Sequence, residues 1–187
     1  HIIAAKQQIL SPYDNLDSVC VSMDPAAFSS VYAAYQNLLQ AQHLFDYEDL
    51  IFFAVKQLEG DPEFLNACRK RFPFLFVDEY QDLNLGQYRI IKALAPPDGN
   101  IFVIGDPDQA IYGFRGSDVS YFQRFLADFP AAAQYRLTRN YRSAETILEA
   151  SRQVICNHSL HSTVSRVYSG IAGIEAIHML EAETEKS

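Results

Sequence analysis

The sequence predicts an α/β fold: a parallel sheet flanked by helices and preceded by a helical segment. Three observations carry this prediction. Two short apolar runs, Phe74-Leu75-Phe76-Val77 and Ile101-Phe102-Val103-Ile104, each stop abruptly at acidic or glycine residues. Helix-period segments lie between and after them. The first seventy residues or so carry helical periodicity. Strands that alternate with helices run parallel, and continuous apolar runs imply strands buried on both faces.

Each element has its own signal. Over 26–44, Phe28, Val31, Tyr32, Tyr35, Leu38 and Leu39 recur at three- and four-residue spacing, which puts them on one helix face. Helices are predicted next over 47–58 and 62–71, the latter with Asp61 as cap and Pro62 at its first position. After the first strand, Leu85, Tyr88, Ile91 and Leu94 mark a helix over 84–94. Pro96-Pro97-Asp98-Gly99 then breaks the chain ahead of the second strand. A helix at 118–127, a short strand near 134–137 and a helix over 143–155, capped by Ser143 or Thr146, complete the alternation. Residues 157–173 read as a loop, 174–180 as a further strand, and the Glu-rich end as solvated.

Composition narrows the function classes. The 187 residues include 49% hydrophobic and 13% aromatic side chains, enough for a sizeable core, so wholesale disorder is excluded. No apolar run nears the roughly 20 residues that span a bilayer, and the opening lacks the layout of a secretory signal, so a soluble chain is expected. Cys20, Cys68 and Cys156 are far apart and form no Cys-x-x-Cys pair, which fits a reducing, cytoplasmic setting. The net charge of −8 argues against indiscriminate polyanion binding. Residues 131–170 nevertheless hold five arginines against only Glu145 and Glu149, so a nucleic-acid groove remains compatible with the total.

In a parallel sheet, ligands collect at the carboxyl ends of the strands. Both polar bursts fall there: Asp78-Glu79-Tyr80-Gln81-Asp82 after the first strand, and Gly105-Asp106-Pro107-Asp108-Gln109 after the second. They are expected to face one cleft. An apolar strand ending in Asp-Glu is how nucleoside triphosphatases set one carboxylate on hydrated Mg²⁺ and a second on the attacking water. Taken alone, the dipeptide more often marks a strand that ends in solvated acids. Gln109 offers an amide to a terminal phosphate, or is an ordinary turn residue. In Ile111-Tyr112-Gly113-Phe114-Arg115-Gly116, aromatics bracket a glycine beside an arginine, as a single-strand platform requires, although loop aromatics also pack on cores. Arg142 could reach a phosphate, or simply start a helix. No histidine shows metal-ligand spacing with cysteine or carboxylate, and no Gly-x-Ser-x-Gly elbow exists. No glycine is followed by lysine, so the sequence contains no phosphate-cradling Gly-Lys-Ser/Thr loop.

Taken together and in order, Val77 to Asn84, Ile104 to Asp118, and Leu137 to Ser143 closely resemble the second, third and fourth motifs of the UvrD/Rep family of superfamily-one DNA helicases. Phe45-Asp46-Tyr47-Glu48-Asp49-Leu50 also resembles the family's return from its inserted helical subdomain to the first motor domain. The resemblance implies a partial RecA-like sheet. It divides the chain into the end of the helical insertion (1–45), the later half of the first motor domain (46–132) and the start of the second (133–187). It implies Asp78 as the magnesium ligand, Glu79 as the base that activates water, and Gln81 and Asp82 as coupling residues beside the nucleotide. Gln109 then senses the γ-phosphate, Tyr141 stacks on adenine and Arg142 reaches the γ-phosphate. Tyr112, Phe114 and Arg115 contact single-stranded DNA, Phe114 standing where the family commonly has tryptophan.

The implied cofactors are ATP and Mg²⁺. The implied partners are single-stranded DNA, duplex junctions and the remainder of a helicase chain, with no membrane and a cytoplasmic location. Movement 3′-to-5′ with duplex unwinding is expected of such a motor, whereas the chain alone, lacking the phosphate loop, is expected to be inactive. Two other readings compete. A non-catalytic nucleic-acid or partner-binding module could keep the same fold. A metal-dependent nuclease could use Asp78, Glu79, Asp82, Asp106 and Asp108, but it leaves Gln109 and the Tyr141-Arg142 pair without a task.

Overall fold

In a computed structural model, residues 1–20, 23–96, 98–156, 167–173 and 177 are described. Capping chemistry sets most helix starts. Asp24 accepts from the Ala27 amide to open α2 (Pro25–Ala41), and Asp46 and Asp49 form a reciprocal capping box at α3 (Tyr47–Gly60). Asp61 accepts from Glu63 and Phe64 ahead of α4 (Pro62–Arg71), as predicted. Asn84 and Gln87 make a second capping box at α5 (Leu85–Leu94). A short first helix, α1 (Ile2–Gln7), had no distinct periodic signal because it is under two turns long. The remaining elements are β1 (Phe74–Val77), β2 (Asn100–Val103), α6 (Ser120–Asp128), β3 (Arg139–Asn140), α7 (Glu145–Ile155) and β4 (Tyr168–Ser169).

The chain divides into two compact units, His1–Ala132 and Ala133–Ser187. In the first, β1 and β2 pair in parallel with Phe74 opposite Asn100 and Val77 opposite Val103. Leu75, Val77, Ile101 and Val103 pack on Tyr80, Leu83 and Ile91 together with Tyr121, Phe122 and Phe125 of α6. A second cluster joins Ala5, Leu16, Val19, Cys20, Phe28 and Tyr32, and a third joins Ile9, Phe52 and Val55. Between α1 and α3 lies a buried ionic group: Lys6 Nζ is 2.5 Å from Asp46 Oδ2 and 2.8 Å from Asp49 Oδ1.

Four expectations need correction. The strands are not buried on both faces, because Phe74, Phe76 and Phe102 alternate outward at 62%, 76% and 53% exposure. Their apolar character therefore reflects one packed and one open face rather than a sheet covered twice. On α2 only Phe28 and Tyr32 of the predicted stripe are buried, while Val31 and Leu38 face outward. The short strand forms at Arg139–Asn140 rather than at 134–137, since its parallel partner Tyr168–Ser169 lies inside the segment read as loop. Neither Ser143 nor Thr146 caps α7; its N-cap is Ala144, and Asn140 Oδ1 instead accepts from the Arg142 and Ser143 amides. The strand expected over 174–180 lies outside the described residues, apart from Ile177.

Candidate nucleotide and nucleic-acid site

Because β1 and β2 are parallel and in register, the segments that leave Val77 and Val103 emerge at the same sheet edge. The ladder runs on past both strands. The Ile104 amide donates to the Val77 carbonyl at 2.9 Å, and the Tyr80 amide donates to the Ile104 carbonyl at 3.0 Å. Gln81, 1% exposed, bridges the two tips through its side chain: Nε2 donates to Glu79 Oε2 at 2.7 Å, and Oε1 accepts from the Asp106 amide at 3.0 Å. The close approach requires glycine at 105, where a Cβ would meet Gln81 Oε1 at 2.6 Å and Phe122 Cε2 at 2.9 Å. The two polar bursts thus form one edge, as the alternation of strand and helix led us to expect.

At this edge Asp78 and Glu79 are exposed. Glu79 adopts a left-handed backbone (φ 51°), a conformation that costs a non-glycine residue about 1–2 kcal/mol and is held here by the bonds around it. One Asp78 oxygen accepts from the Glu79 amide at 2.9 Å. The site's chemistry fits a magnesium ion: an exposed carboxylate at a strand end suits a cation that keeps most of its water. Asp82 Oδ1 is buried and has no hydrogen-bond partner among the described residues. Gln109 is exposed, and its amide donates to Asp106 Oδ2 at 2.7 Å. Asp106 is the residue that the nucleotide reading overlooked. It accepts from the Asp108 amide and from Gln109 and so fixes the turn Pro107–Gln109. Its signal was an Asp-Pro pair, which commonly opens a capped turn. Among the described residues no group of three or more carboxylate, histidine or cysteine side chains is arranged to hold a metal, so the five acids of the nuclease reading do not converge.

Tyr112, Phe114 and Arg115 gather on one loop. The two ring centroids are 6.0 Å apart, and the Arg115 guanidinium lies 5.4 Å and 5.5 Å from them. Phe114 is 79% exposed, so its face is not spent on the core. Gly116 closes the turn at φ 83°, a position that favours glycine. Directly beyond it, Ser117 bridges Asn84 and the Asp118 amide donates to the Leu83 carbonyl at 3.0 Å. The segment from Asp78 to Asn84 is therefore bonded at its start to the Asp106 tip and at its end to the aromatic loop.

Tyr141 and Arg142 belong to the second unit, where Asn140 orders their turn. Tyr141 is 76% exposed with the Arg139 guanidinium 5.1 Å from its ring, and the Arg142 side chain is exposed.

A parallel strand pair with acidic and amide-bearing tips is thus joined to an exposed aromatic loop. The family model for the UvrD/REP helicase N-terminal domain matches residues 1–130, and the chain belongs to that family. It is 40% identical over 158 residues to the ATP-dependent DNA helicase PcrA of Staphylococcus aureus and 37% identical over 158 residues to that of Staphylococcus epidermidis. Each match covers 84% of this chain and 22% of the relative, so the chain spans about a fifth of the length of these curated relatives.

Proposed function

We propose that this chain is a segment of an ATP-driven DNA helicase that couples ATP hydrolysis to 3′-to-5′ movement along single-stranded DNA and to duplex unwinding. The relatives named above are ATP-dependent DNA helicases, which supports the reaction class. The observation that carries the reading is the Gln81 bridge between Glu79 and Asp106, continued through Asn84 to the aromatic loop. It gives nucleotide chemistry and DNA contact a shared backbone.

In this reading the domains are the end of a helical insertion (1–45), the later half of a RecA-like first motor domain (46–132) and the start of a second (133–187). Asp78 would hold Mg²⁺, which supplies charge neutralisation to the phosphates when bound. Glu79 takes the proton of the attacking water, and Gln81 keeps its carboxylate oriented. Gln109 leaves Asp106 to donate to the γ-phosphate, so its amide reports whether that group is present. Asp82 lies behind the same edge as a coupling residue, Tyr141 stacks on adenine, and Arg142 offers a guanidinium to the γ-phosphate. Tyr112 and Phe114 stack bases while Arg115 contacts phosphate. The partners are single strands, duplex junctions and the remainder of the helicase polypeptide, in the cytoplasm. Without a Gly-Lys-Ser/Thr loop among its 187 residues, the chain by itself neither hydrolyses ATP nor unwinds DNA.

The test is fluorescence anisotropy with a labelled oligothymidylate, comparing the parent with Phe114→Ala. Loss of a stacking ring should weaken binding by about 1–3 kcal/mol with thermal stability unchanged. Equal binding by the two chains would remove the platform and with it the DNA half of the proposal.

A further inference from the structure

Away from the nucleotide edge, α3, α4, α5 and α6 enclose a groove of about 530 Å³. Leu58, Pro62, Leu65 and Ala93 supply apolar lining, and Arg89, Lys92 and Arg124 supply cations. Two of these cations are engaged. Arg89 forms a two-point pair with Glu59, and Lys92 Nζ lies 2.6 Å from Asp128 Oδ1. Arg124 is different: it is exposed, has no ion pair among the described residues, and lies with its guanidinium 5.8 Å from the Tyr88 ring. Tyr88 is held from behind by stacking on Tyr121 at 4.3 Å and by donating to Asp128. At the groove's border Arg69 donates to the Ala93 carbonyl at 2.9 Å, adding a further positive charge. The local sign is thus opposite to the chain's net −8.

From this we infer that the groove is a docking surface for a short acidic amphipathic peptide of a partner protein, with an apolar side chain among Leu58, Leu65 and Ala93 and a carboxylate on Arg124. Charge complementarity selects this occupant. A nucleic-acid strand brings a charge at every phosphate, and the fixed carboxylates Glu59 and Asp128 interrupt any continuous basic track for it. A peptide needs only one exposed guanidinium that forms no close ion pair beside an apolar cleft, and arginine next to an aromatic ring is a composition typical of interface anchors.

The experiment titrates the isotope-labelled chain with a short peptide of Leu and Glu at helical spacing, with a Leu/Lys peptide of the same pattern as control. Saturable shifts at Leu65, Arg89, Ala93 and Arg124 are expected with the acidic peptide alone. Arg124→Glu should weaken binding roughly tenfold or more, and Arg124→Ala by less, as loss of one charge-assisted contact predicts. Both variants should keep the parent circular dichroism, since Arg124 is exposed. The inference is overturned if the acidic peptide gives no saturable shifts or shifts elsewhere, if the Leu/Lys peptide binds as well, if both variants bind like the parent, or if oligothymidylate displaces the peptide from these residues. The outcomes read with peptide alone leave the Phe114 platform untouched.

Discussion

Replacing Lys6 with methionine removes the charge from a side chain that is 0% exposed and leaves Asp49, 1% exposed, without its cation. Breaking a buried pair from one side costs about 3–5 kcal/mol, because the surviving charge stays desolvated. Here the lower part of that range applies. Asp49 still accepts from Gln36 at 3.0 Å and from the Asp46 amide at 3.1 Å, and Asp46, 21% exposed, still accepts from Tyr35. The expected loss of about 3 kcal/mol is a large share of the stability of a typical domain. It is read from urea unfolding followed by far-ultraviolet circular dichroism. Adding Asp49→Asn to Lys6→Met removes the stranded charge and should restore about 1 kcal/mol or more. A second signature is pH. Burial opposes ionisation of Asp46, but hydrogen bonds from Lys6, the Asp49 amide and Tyr35 outweigh it and lower its pKa. Its stabilising contribution is therefore present above the unfolded value of about 3.9 and is lost as pH falls through the folded value. Lys6→Met should flatten that acid limb. A loss below about 1 kcal/mol, or no recovery in the double variant, would refute the view that this ionic group pins α1 to α3.

Two further substitutions probe the joined tips. Gln81→Leu removes both bridging hydrogen bonds and leaves the Asp106 amide without its acceptor, so it should cost about 1–3 kcal/mol and speed hydrogen exchange at Asp106. Gly105→Ala pushes a methyl group against Gln81 and Phe122 and should cost about 1–3 kcal/mol by overpacking; a neutral result in thermal unfolding would show that the tips are looser than described.

How much of this was legible in the sequence depended on how local the signal was. The starts of helices with a side-chain cap and a proline or capping-box partner were found to within a residue, as at Asp61 and Asn84, because the capping bond is made within three residues of chain, whereas the end of α2 at Ala41 falls three residues short of the expected one. β1 was found outright and β2 within one residue, from apolar runs bounded by polar ones. Their open faces were not legible, since a one-sided and a two-sided strand can share the composition Phe-Leu-Phe-Val. The strand at Arg139–Asn140 was misplaced for the opposite reason: two residues of ladder owe their position to Tyr168–Ser169, nearly thirty residues away. In the site, candidate residues came from the motifs, and the Asp106 turn had a local signal in its Asp-Pro pair, whereas the Gln81 bridge depends on a contact over twenty-five residues of separation and on a left-handed Glu79 that no pattern announces.

The central claim is that the segments after Val77 and after Val103 line a single nucleotide-binding edge. Titrating the isotope-labelled chain with ATP and the paramagnetic ion Mn²⁺ in place of Mg²⁺ tests it most directly. The account predicts that amides at Asp78, Glu79 and Gln81 broaden together with those at Gly105, Asp106 and Gln109. Broadening confined to one tip, or centred elsewhere in the chain, would contradict it.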